Sequence, residues 1–80
     1  MVHLRKEDAD FMLSVLDLPA DLREVLAQAP ITGITIGEDD ADRLRDLCGE
    51  RLQTHGFDER YNPTKEGQKL EQLIDILFVR

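Results

Sequence analysis

The sequence predicts a mainly α, small four-helix domain carrying two short strand-like segments, near residues 2–4 and 31–36. Three observations lead there. Apolar residues recur at helical spacing in four stretches, turn-forming residues fill the gaps between them, and one alternating β-branched run, from Ile31 to Ile36, interrupts the pattern. A chain of 80 residues is expected to form a single globular domain over 1–80. Such a chain buries only roughly 60% of the surface it exposes when unfolded, so its core has little to spare.

The elements follow in order. Val2, His3 and Leu4 offer a short strand. Residues 6–17 read as a helix, and Phe11, Met12, Leu13, Val15, Leu16 and Leu18 leave so little of it polar that it must be covered on more than one side. Asp17, Leu18 and Pro19 break it. A short helix over about 20–28 shows Leu22, Val25, Leu26 and Ala29 at helical spacing, and Pro30 ends it. Residues 31–36 alternate with β-branched side chains and need a strand partner, for which residues 2–4 are the candidate.

The helix at 38–54 places Ala41, Leu44, Cys48 and Leu52 on one face with Leu47 beside them, and Gly56 can stop it in a left-handed conformation. A loop from Gly56 to Pro63 carries Phe57 and Tyr61, two aromatics expected to fold back over the core. In the last helix Leu70, Leu73, Ile74, Leu77 and Phe78 form a buried stripe; Asn62 or Thr64 caps its start, with Pro63 in the first turn.

A faint internal parallel runs through this order. Setting residues 2–16 over 34–48 superposes a strand-like triplet, an acidic helix start and a shared Asp-Ala-Asp, at Asp8-Ala9-Asp10 and Asp40-Ala41-Asp42. The chain can thus be read as a β-α-α-β-α-α pseudo-repeat, from duplication or from capping chemistry common to both helix starts.

Charge narrows the function. Seventeen acids against ten bases give a net charge of −7, which repels phosphates, so no direct nucleic-acid binding is expected. Charges near the amino terminus and the lack of a long apolar run argue against a signal peptide or a membrane span, and one free cysteine agrees with a cytoplasmic setting. Glu38, Asp39, Asp40 and Asp42 lack calcium-loop spacing and instead complement the positive end of a helix dipole. Cys48 lies in the apolar stripe, and His55, seven residues on, is about 10 Å away along a helix, too far for a nucleophile and base pair. His3 and His55 lack metal-ligand spacing, and no glycine-rich phosphate loop appears. The reading is noncatalytic, with no cofactor and no metal.

What stands out is a stripe. At about 100° per residue, Asp39, Asp42, Asp46 and Glu50 align opposite the apolar face, with Arg43, Arg45 and Arg51 on the flanks and Asp39 spaced to pair with Arg43. Residues 37–59 hold eight acids and three bases, whereas residues 61–80 hold three of each. The stripe serves either solubility or a basic protein partner, and Asp58, Glu59 and Tyr61 of the following loop extend the candidate partner surface. Size and charge balance are similar to those of small acidic bacterial proteins that neutralise toxins, a likeness of composition alone. The expected function is therefore an acidic protein-binding module, of inhibitor or immunity type. The alternative is a homodimer through the helix at 6–17, which would cover that helix's apolar surplus.

Overall fold

In the computed structural model, which describes residues 1–60 and 62–78, the described residues form β1 (Val2–Leu4), α1 (Lys6–Val15), α2 (Ala20–Ala27), β2 (Ile34–Ile36), α3 (Glu38–His55) and α4 (Lys65–Leu77). The strands pair antiparallel, with Val2 opposite Ile36, His3 opposite Thr35 and Leu4 opposite Ile34. The fold is the small mainly α domain with a two-stranded sheet that the pattern predicts.

The register of that sheet carries more than the pairing. The offset of 32 residues that aligns the two halves sets His3 on Thr35, the central pair of the ladder. Exchanging the halves therefore maps the sheet onto itself, as a two-fold axis through that pair requires. Helices α1 and α3 begin at equivalent positions, Lys6 and Glu38. Buried Leu4, Ala9, Met12 and Leu16 match buried Ile36, Ala41, Leu44 and Cys48. Each half is a strand and two helices, and the apolar faces of both merge in one core. The outward positions differ: Phe11, Leu13 and Ser14 in α1 correspond to Arg43, Arg45 and Asp46 in α3.

Several boundaries differ from expectation. Helix α1 stops at Val15 and Leu16 turns extended, ahead of Pro19, through which no helix can run because the proline ring would meet the carbonyl four residues back. In an extended segment side chains alternate, so Leu16 and Leu18 are both buried while Asp17 faces outward. Strand β2 begins at Ile34 and not Ile31. A turn closes first, with the Gly33 N–H donating to the Pro30 carbonyl at 2.8 Å, and Gly33 takes φ +94° against the Leu4 carbonyl, where a side chain has no room. Ile31 is consequently 87% exposed.

The α3–α4 junction corrects the expected stop of α3 and decides between the two caps offered for α4. Gly56 ends α3 in a right-handed conformation (φ −82°), and the chain reverses just beyond it through an antiparallel bridge between Phe57 and Pro63. Asn62 is spent on that loop: its N–H donates to Asp58 Oδ1 and its carbonyl accepts from the Asp58 N–H. Thr64 is the cap of α4, its hydroxyl accepting from the Gly67 N–H at 3.0 Å while its own N–H donates to the Gly56 carbonyl at 2.8 Å. At the far end Phe78 falls just outside α4 and is half exposed beneath the Arg45 guanidinium, whereas Leu70, Leu73 and Leu77 are buried as expected and Ile74 partly so. Phe57 is likewise 42% exposed, held by its bridge to Pro63 and not folded over the core, and Tyr61 lies outside the described residues.

One charge sits inside. Asp8 is 1% exposed, and its carboxylate accepts from Lys69 Nζ at 2.7 Å and from the Arg5 backbone and Nε at 3.3 Å. It caps α1 and ties that helix to α4 across the two halves.

Candidate interaction surface

Helix α3 positions the stripe because its other side is consumed by the core: Ala41, Leu44 and Cys48 are fully buried, and α3 makes its most extensive contact with α4. Asp39, Asp42, Asp46 and Glu50 are all exposed. They span about 16 Å of helix at 1.5 Å per residue.

The flanking arginines decide the electrostatics. The expected Asp39–Arg43 pair does not form, because Arg43 reaches across to α2 and grips Asp21 with both terminal nitrogens, at 2.8 and 3.1 Å. A planar guanidinium prefers that two-oxygen grip to a single contact along its own helix. Its second ion pair is with Asp40, at 3.6 Å. The Arg43 hydrogen bonds hold the Asp21 carboxyl below the ordinary carboxylate range. Arg51 turns to α4 and forms a second bidentate pair, with Glu66, at 3.0 and 3.1 Å. Arg45 is shared between Asp42, at 3.4 Å, and the Phe78 ring, 5.3 Å from its centroid.

The result is a stripe whose bases have been drawn elsewhere. Among the described residues Asp39, Asp46 and Glu50 form no ion pair. Of the loop acids, Asp58 is engaged locally, its Oδ1 accepting from the Arg60 and Asn62 N–H groups at 2.8 and 3.0 Å, so it shapes the turn. Glu59 is exposed beside it, off the line of the helix stripe.

Asp17, which sequence periodicity placed at a helix break, lines a cleft of about 250 Å³ with Val15, Leu16, Leu47, Glu50, Arg51 and Thr54. No local pattern could have joined it to Glu50, because the two meet only through tertiary packing.

Cys48 is fully buried, and burial pushes its thiol up to about 12, so the thiolate needed for nucleophilic attack is scarce near neutrality. Among the described residues no group of three or more His, Cys, Asp or Glu side chains is placed to hold a metal ion, and no helix is long and apolar enough to cross a membrane.

The fold and surface together define a small, mainly α domain presenting an acidic helix face. Compared with known proteins, the chain matches no protein-family model, no curated sequence and no solved structure.

Proposed function

We propose that the protein is a noncatalytic, acidic protein-binding module that engages a basic protein partner through α3, in the manner of an inhibitor or immunity-type protein acting in the cytoplasm. The observation that carries this reading is the set of exposed carboxylates at Asp39, Asp46 and Glu50, left uncompensated while neighbouring arginines pair with other elements. Unpaired charge on a rigid face speeds encounter with an oppositely charged surface and selects among partners. The test is capture from the native host at low and at high salt. A basic protein retained at about 50 mM salt and released near 500 mM is the expected result, since screening acts on exposed charges over about a Debye length. Capture of no basic protein, or capture indifferent to salt, contradicts it.

A second reading is a homodimer through α1. It is favoured by Phe11, Leu13 and Val15, which pack against the core yet stay only partly buried. A second copy would cover them. Sedimentation across micromolar concentrations is expected to show a concentration-dependent dimer on this reading, and a monomer throughout removes it.

A further inference from the structure

We infer that the cleft between the C-terminal end of α1 and the C-terminal half of α3 is the seat for a lysine or arginine side chain of the basic partner. This rests on the proposed function and names its anchoring contact. Val15 and Leu47, which both line the cleft, are equivalent residues of the two halves. The cleft therefore lies on the seam between the two halves, where α1 rests chiefly on α2 and α3 on α4. Val15 and Leu47 are each only partly buried, so the floor is apolar and still open.

The rim has the opposite character. Asp17 and Glu50 are exposed and, among the described residues, form no ion pair, whereas the rim's single base, Arg51, is neutralised by its two bonds to Glu66. The last turn of α1 contributes no basic residue of its own to its negative dipole end. An apolar floor beneath unpaired carboxylates is the complement of an aliphatic stem carrying a cationic head, the arrangement long basic side chains adopt on protein surfaces. A second copy of this chain would bring its own excess of acids to the same rim, which disfavours it as occupant. Glu50 belongs to both the cleft and the stripe, which makes the cleft the anchoring end of one continuous surface.

Two peptides of equal charge test this on the intact protein by NMR titration at low salt: hexalysine, and hexa-diaminobutyrate, whose stem is two methylenes shorter. Hexalysine is expected to move the Val15 and Leu47 methyl resonances together with the α3 amides, while the short-stem peptide moves the α3 amides alone. The variant D17N/E50Q, altered only at exposed positions, is expected to bind hexalysine about tenfold more weakly. If both peptides perturb Asp39–Asp46 and leave Val15 and Leu47 unmoved, the cleft is not the seat, and the acidic face still stands. If neither peptide perturbs α3 or the cleft, the seat and the basic-partner reading both fall.

Discussion

Replacing Asp8 by alanine is expected to cost about 3 kcal/mol of folding stability, a large part of what a chain of this size possesses. The carboxylate accepts from Lys69 on α4 and from the Arg5 backbone and guanidinium, so its removal strands a half-buried ammonium and uncaps α1 together. Urea unfolding of the two proteins at neutral pH measures the difference. Its pH dependence has a definite sign. Burial pushes the Asp8 carboxyl up, but hydrogen bonds from Lys69 and Arg5 outweigh this and hold it below the ordinary carboxylate range. A carboxyl whose pKa is depressed on folding contributes its stability above the unfolded value of about 3.9 and loses it as the pH falls through the folded value. The gap between wild type and Asp8→Ala should therefore be full at pH 6 and narrow below about pH 4. A gap that widens on acidification would show the carboxylate to be a burden.

Gly67→Ala is expected to destabilise the fold by about 2 kcal/mol, against the helix propensity that would favour alanine by about 1 kcal/mol. A Cβ at this position runs into the backbone of Gly56, because the first turn of α4 lies directly on the end of α3. The carbonyl it meets is also the acceptor for the Thr64 N–H and hydroxyl, so a shift there disturbs the cap. Gly49, in the middle of α3, faces open space. Gly49→Ala should stabilise by about 0.5–1 kcal/mol, and thermal unfolding of both variants in parallel separates packing from propensity. Equal signs for the two would remove the argument that α3 and α4 meet backbone to backbone.

These two sites show which parts of the molecule are legible in the chain. Ala41, Leu44 and Cys48 repeat at the helical period, and the helix that carries them is where that period predicts it, with its acids on the outer face. The partnership of Val2–Leu4 with the second strand was recoverable because only one other segment could supply it. Distance along the chain hid the rest. Asp8 reads as an ordinary acidic helix start, since Lys69 is 61 residues away. By spacing Arg43 is set for Asp39 on its own helix, and it instead takes Asp21, 22 residues earlier. Phe78 continues the apolar period of α4 but lies past its last turn, and the period does not report where a helix ends. The alignment of the halves was faint in residue identity, yet the strand register and most of the buried positions follow it.

On the proposed function, the outward acids of α3 are held for another molecule and are not needed by the fold. The most direct measurement is the unfolding free energy of a single variant carrying Asp39→Asn, Asp42→Asn, Asp46→Asn and Glu50→Gln. Losing Asp39 from the first turn and the Asp42–Arg45 pair costs a little, at roughly 0.3–1 kcal/mol each, and relief of the Asp42–Asp46 and Asp46–Glu50 repulsions returns a similar amount. The variant should match wild type to within about 1 kcal/mol. A loss of 3 kcal/mol or more would mean that the acids serve the helix itself, and the face would no longer stand as a surface kept for a partner.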